Sequence, residues 1–255
     1  MENHIAIEAF IHIAKKFEKN LPLNLIFGED WLLRLVLLWF DINKDNNLDF
    51  PLSFNNDNIW YAQGRIKGFL PNDFAKTDGM FGDIEKDEDN SYLHLKKKCK
   101  KFVVLEAKMQ SPYSKKTEHR EGYDQVSRTL FCMCHATKTV FEWQWPKIEF
   151  NEYLDKFEKI AFYTLLPKEN SAKIENLVFN NKNSIKRTIT DIIDKSKDID
   201  IKYSLEYLNN YLFLFLEKTN IEIITWEEII DFIIGNDNKY GNSLLKFYKY
   251  CKKFN

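Results

Sequence analysis

Apolar and polar positions along the chain recur with two periods, one near 3.6 and one of two, and the switches between them outline its elements. In residues 4–19, Ile7, Phe10, Ile11, Ala14 and Phe17 share one stripe, which predicts an amphipathic helix closed by Pro22. After Gly28, Glu29 and Asp30 stand where a helix macrodipole favours carboxylates. The following run, Trp31 to Phe40, is apolar on nearly every side and broken only by Arg34, which predicts a deeply buried helix. Asn- and Asp-rich residues 43–58 read as loops, and Ile59 to Phe69 as one or two strands bent at Gly64 and Gly68. Met80 to Ile84 and Phe102 to Met109 read as strands separated by an acidic turn region, the second being the most strongly patterned strand in the chain. Residues 121–136 read as a helix, Thr139 to Trp145 and Ile160 to Leu166 as strands, and 183–217 as two helices. A strand ending in Thr225 and Trp226, a helix to Ile234 and a last helix from Asn242 to Phe254 complete the pattern. The alternation predicts an α/β fold with a mixed central sheet flanked by helices.

Composition narrows the class. The chain has 255 residues, 44% hydrophobic and 29% charged, with no repeat or Pro-, Gly- or Ser-rich linker, so one continuous domain over 1–255 is the expectation. Those proportions exclude collagen-like and disordered classes. The net charge of −1 gives no global attraction to polyanions, so a nucleic-acid partner requires a local patch. Such a patch lies between His94 and Arg120, where nine Lys or Arg face two Glu. Tyr92, Tyr113 and Tyr123 lie in or beside it, with rings able to stack on bases. Four cysteines without paired spacing and an amino terminus carrying Glu2 and Glu8 lead to the expectation of a cytoplasmic protein. The Trp31 to Phe40 run is about half the ~20 residues that cross a bilayer, so no membrane association is expected.

The chemistry concentrates at one strand end. Period two sends Glu106 and Lys108 to one face and Ala107 to the other, so a hard oxygen ligand and a cation share a site. Magnesium takes one or two protein carboxylates, and Asp78 and Asp83 in the preceding strand region supply a second. Downstream, Gln125 and Arg128 lie three apart on one helix face. With Glu29 opening the buried helix, the arrangement over about residues 25–135 resembles the PD-(D/E)XK nuclease superfamily, the restriction-endonuclease-like proteins. That resemblance implies a Mg2+- or Mn2+-dependent deoxyribonuclease acting on DNA. It makes Asp78, Glu106 and the Ala107 carbonyl the metal ligands, Lys108 the catalytic lysine, Glu29 a supporting or second-metal carboxylate and Gln125 an orienting side chain. Thr77 stands where the family name has proline, and the 28-residue separation of Asp78 from Glu106 implies a long hairpin excursion. Asp78 is preferred because Met80 and Phe81 follow it as strand residues, while Asp83 remains the rival. Residues 136–255 would then elaborate the core.

Other motifs point elsewhere. Asp41 to Asp49 matches the first half of an EF-hand loop, but Asn46, Pro51 and Leu52 break the pattern. Cys132 and Cys134 beside His135 read as small core residues, having no second ligand pair. A second class of function is a nuclease-like module that binds nucleic acid or protein without cutting. Wide separation of Asp78, Glu106 and Lys108 would favour it. A homodimer or a partner protein is compatible with either class.

Overall fold

The computed structural model describes residues 3–16, 23–69, 73–87, 92–109, 124–145, 147–174, 182–195 and 206–254. Its centre is a five-stranded mixed sheet in the order β1 (Ile59–Ala62), β4 (Gly79–Gly82), β7 (Lys101–Ala107), β8 (Lys159–Leu166), β9 (Asn220–Thr225). The β1–β4 and β4–β7 pairs are antiparallel, whereas β7, β8 and β9 are mutually parallel. Two small antiparallel ribbons flank it: β2 (Arg65–Lys67) with β3 (Phe74–Lys76), and β5 (Ile84–Lys86) with β6 (Leu93–Leu95). This is the α/β arrangement of mixed sheet and flanking helices that the sequence predicts.

Helices cover both faces because β7 is apolar on both. Phe102 and Val104 point to one layer, formed by α4 (Gln125–Gln144), α5 (Phe150–Leu154), α7 (Lys182–Asp194) and α8 (Phe213–Lys218). Val103, Leu105 and Ala107 point to the other, formed by α1 (Asn3–Lys16), α3 (Glu29–Ile42), α9 (Trp226–Asn236) and α10 (Asn238–Phe254). The short α2 (Leu23–Ile26) and α6 (Lys168–Ile174) complete the helices used below. Val103, Val104 and Leu105 are fully buried, each contributing about 1.5–3 kcal/mol. Trp31 to Phe40 lies within α3 as predicted, with Leu33, Val36 and Leu37 inside, although Trp31 and Leu38 reach solvent. Among the described residues no helix is long and apolar enough to cross a membrane.

Three local readings are corrected. Thr139 to Trp145 is not a strand: α4 continues to Gln144, and Thr137, Val140 and Phe141 carry its buried stripe onward at helical spacing. Met80 to Ile84 is not one strand either. Gly82 has φ 137°, and a Cβ there would lie 2.0 Å from the Lys101 carbonyl oxygen, so the chain turns at a position only glycine fills. Ile84 then opens the β5–β6 ribbon, which forms the excursion between Asp78 and Glu106. Finally, β3 and β6 occupy segments the sequence did not mark, each too short to show a period. Phe17, Pro22, Tyr113, Tyr123, Lys115, Lys116 and Arg120 lie outside the described residues.

Candidate active site

The exit of β7 gathers the acidic and basic side chains singled out in the sequence. Lys108 N donates to the Leu165 carbonyl on the β8 side at 2.8 Å. Backbone groups of successive strand residues alternate in direction, so Ala107 turns its N–H and C=O to the opposite side, beyond the start of β4. There Ala107 N meets Asp78 Oδ2 at 2.9 Å. Asp78 immediately precedes β4, whose Gly79 pairs with Leu105, and this register places its carboxyl beside the end of β7. The same alternation puts Glu106 on the α4 side with Phe102 and Val104.

Glu106 is fully buried. Its Oε1 accepts from Lys108 Nζ at 2.6 Å and from Gln125 Nε2 in a short hydrogen bond. Gln125 is held there because Asp124 caps α4, accepting the Ser127 N–H at 2.9 Å and making Gln125 the first helical residue. The other oxygen, Glu106 Oε2, has no hydrogen-bond partner among the described residues. The Asp78 carboxyl lies near enough for its charge to act on Glu106. Burial first, and the Asp78 charge second, push the Glu106 carboxyl up to about 8. Burial also raises Asp78, against the Lys108 charge and the Ala107 N–H. For Lys108, burial opposes the charged form, but Glu106, Asp78 and Glu29 outweigh it and the ammonium is held above its ordinary value. Lys108 Nζ lies 3.9 Å from Asp78 Oδ2.

Glu29 approaches from the other layer. Gly28 N-caps α3, so Glu29 is its first residue, and its Oε2 accepts the Met109 N–H at 2.7 Å. Burial raises its carboxyl, while Lys108 lowers it and Asp78 raises it further. Glu29 thus fixes the backbone just beyond Lys108 and adds its charge to the same cluster. Five sequence-predicted residues, Glu29, Asp78, Glu106, Lys108 and Gln125, therefore converge, with the Ala107 carbonyl turned to the Asp78 side.

The other residues weighed in the sequence stand elsewhere. Asp83 sits at the far end of β4, accepting Lys100 N and Lys101 N at 2.8 and 3.0 Å and Asn58 Nδ2 at 3.2 Å. Arg128 is turned from Glu106 toward Asp73, with Nε 2.9 Å from Oδ1, and lies over the Phe74 ring. Asp41, the first position of the half EF-hand, accepts Trp60 Nε1 at 3.3 Å and pairs with Lys44 at 3.2 Å. Cys132 and Cys134 are fully buried core residues, as their sequence setting suggested.

The structure adds residues that sequence reasoning missed. Trp226 Nε1 donates to the Lys108 carbonyl at 3.1 Å, and Asn170 Nδ2 to the Met109 carbonyl at 3.1 Å. Asp30 Oδ2 accepts Gln63 Nε2 at 2.6 Å beside Glu29. Asp30 had a signal in its adjacency to Glu29; Trp226 and Asn170, 118 and 61 residues from their partners, had none. No protein-family model, curated protein or solved structure matches the chain.

Proposed function

We propose that the protein is a metal-dependent nuclease of the PD-(D/E)XK type, with a restriction-endonuclease-like sheet, that hydrolyses phosphodiester bonds in DNA. The observation that carries this reading is the fully buried Glu106, one oxygen of which has no hydrogen-bond partner among the described residues, beside the Asp78 carboxyl and a charged lysine. Isolated buried carboxylates are expensive, and an oxygen left unbonded beside a second carboxyl is one that a divalent ion would satisfy. Asp78, Glu106 and the Ala107 carbonyl form a set of hard oxygens suited to magnesium or manganese, which keeps most of its remaining positions for water and substrate. Among the described residues no group of three or more His, Cys, Asp or Glu is arranged to hold a metal; two carboxylates and a carbonyl match the small protein share of a magnesium shell.

A bound divalent ion would supply Lewis-acid neutralisation of charge on the phosphoryl group. The chain's own groups do the rest. Lys108, fixed by Glu106 and by Trp226 through its carbonyl, holds a positive charge where the phosphoryl oxygens gain negative charge during attack by water. Gln125 orients the Glu106 carboxyl through Oε1, and Oε2 would be open to the ion. Glu29 restrains the strand exit that carries Lys108. Lys108 lies within 2.6 Å of Glu106 and 3.9 Å of Asp78, which supports a hydrolytic site over a binding module with scattered remnants.

The test incubates circular duplex DNA, single-stranded DNA and RNA with the protein, with and without Mg2+ or Mn2+, beside Glu106→Ala and Lys108→Ala. Metal-dependent cleavage of DNA that both variants lose while still folded and bound to DNA is the expected result. Cleavage that persists in both variants would remove these residues from the chemistry.

A further inference from the structure

The β2–β3 ribbon carries its charge on one side. Ile66 and Ala75 point into the core, whereas Arg65, Lys67 and Lys76 are exposed. The register sets Arg65 directly opposite Lys76 and Lys67 opposite Phe74. Like charges directly opposite each other destabilise an antiparallel pair. Among the described residues no carboxylate forms an ion pair with Arg65, Lys67, Lys76 or Lys86. Asp73, the acid just before β3, is already taken by Arg128. The Arg65 and Arg128 guanidinium groups both lie over the Phe74 ring at 5.4 Å, which holds Arg65 along the ribbon. A surface that keeps this repulsion unrelieved is suited to an anion from outside.

Beside the ribbon lies a cleft of about 350 Å3 lined by Tyr61, Gln63, Arg65, Lys86 and Leu93. Its volume falls in the range of about 300–1,000 Å3 for sites that enclose small molecules. The cleft adjoins the carboxylate cluster through Gln63. This residue holds a left-handed conformation, φ 58°, that bulky side chains rarely adopt. Its N–H donates to the Asp78 carbonyl at 3.0 Å and its Nε2 to Asp30 at 2.6 Å, so one residue forms a wall of the cleft and a support of the cluster. Next to it, Gly64 accepts the Thr77 N–H at 2.9 Å, tying the same turn to the residue before Asp78.

We infer that the β2–β3 ribbon and the adjoining cleft grip the sugar-phosphate backbone of the DNA strand flanking the bond under attack. Arg65, Lys76 and Lys86 contact phosphates there, and Tyr61 supplies a ring for a base. The inference rests on the nuclease reading for its substrate but concerns binding alone. Lys and Arg on phosphates release counterions, so their contribution appears both in affinity and in its salt dependence.

Binding of a labelled DNA duplex and a labelled single strand is measured in chelator, where no cleavage occurs, over a salt series. The proteins are the wild type, Arg65→Gln, Lys76→Gln, Lys86→Gln and, as control, Lys249→Gln at an exposed position of α10. Each ribbon or cleft variant is expected to lose about five- to tenfold in affinity and to lower the log–log salt slope by about one, whereas Lys249→Gln stays at wild type. All four substitutions replace exposed side chains, and circular dichroism confirms folding. Wild-type affinity and slope in the three variants, or no binding by the wild type at low salt, overturns the inference. Unchanged ribbon variants alongside metal-dependent cleavage that Glu106→Ala abolishes defeat the ribbon and leave the nuclease reading standing. Selective loss of binding with no cleavage under any metal does the reverse.

Discussion

The two ends of the β4–β7 pair treat the same residue types in opposite ways. At the entry of β7, Asp83 has both oxygens occupied, by two backbone N–H groups and the Asn58 amide. Lys101 is buried there with the Ser53 carbonyl and Asn55 Oδ1 as its hydrogen-bond acceptors, and burial, only partly offset by the Glu158 and Asp83 charges, lowers its ammonium below the ordinary value. At the exit, Asp78 lies beside a second carboxyl, one Glu106 oxygen has no hydrogen-bond partner among the described residues, and Lys108 is surrounded by acids that hold it charged. Satisfied hydrogen bonds mark the first end as a joint of the fold. Concentrated, incompletely satisfied charge at the second is the feature on which the proposed ion site rests.

The sharpest break between the two ends is in catalysis. Lys108→Met and Glu106→Gln are each expected to lower DNA cleavage by about 10²–10³-fold or more with DNA binding retained, the scale of losing one electrostatic stabiliser; Asp83→Asn keeps cleavage within a few-fold. Initial rates on circular duplex under saturating metal measure this. If Asp83→Asn were as damaging as Glu106→Gln, the distinction would collapse.

Stability should separate the ends in the other direction. Asp83→Ala leaves the Lys100 and Lys101 N–H groups without their acceptor and is expected to cost about 2 kcal/mol in urea unfolding. Glu106→Gln, which removes a buried ionisable group, should cost less than this near pH 8 and in the absence of metal.

The pH dependence sharpens the same contrast. The folded-state value of Glu106 is raised to about 8 from 4.5, so between those values the folded chain holds more protons than the unfolded one. Stability of the metal-free protein therefore falls as pH rises through that window, by up to about 1.4 kcal/mol per pH unit for this group. Asp78 and Glu29, raised in the same direction, add to the fall. Urea midpoints from pH 5 to 8 should decline in the wild type and less in Glu106→Gln. A wild-type profile that rises over this window would contradict the assigned burial.

The smallest effect belongs to Lys101. Its ammonium is buried without an ion pair among the described residues, and Lys101→Met, retaining the packed stem, is expected to change stability by about 1 kcal/mol or less near neutral pH. A loss above about 3 kcal/mol in urea unfolding would show that its two oxygen acceptors weigh more than its desolvation.

Legibility in the sequence followed the range of the signal. Val103 to Leu105 announce β7 because three consecutive apolar residues can be buried on both faces, and from there period two puts Glu106 and Lys108 together. Gln125 was legible because a helix begins shortly after. The far end of α4 was misread because Thr139 to Trp145, taken by itself, is rich in β-branched and aromatic residues; only continuity with the upstream stripe through Thr137, Val140 and Phe141 reveals the helix. Asp78 was preferred over Asp83 because Met80 and Phe81 follow it as strand residues, and β4, Gly79–Gly82, lies between the two acids and sets them at its opposite ends. The Trp226 and Asn170 contacts depend on how distant segments meet, and no local pattern encodes them.

The central claim is that Asp78 and Glu106 bind one divalent ion between them and that Asp83 does not. Calorimetric titration of Mn2+ at pH 8 into the wild type, Asp78→Asn, Glu106→Gln and Asp83→Asn tests it directly. One site is expected in the wild type and in Asp83→Asn, lost in the other two, with weaker binding at pH 6, where the proton held by Glu106 competes with the ion. Undiminished binding in Glu106→Gln, or loss confined to Asp83→Asn, would contradict it.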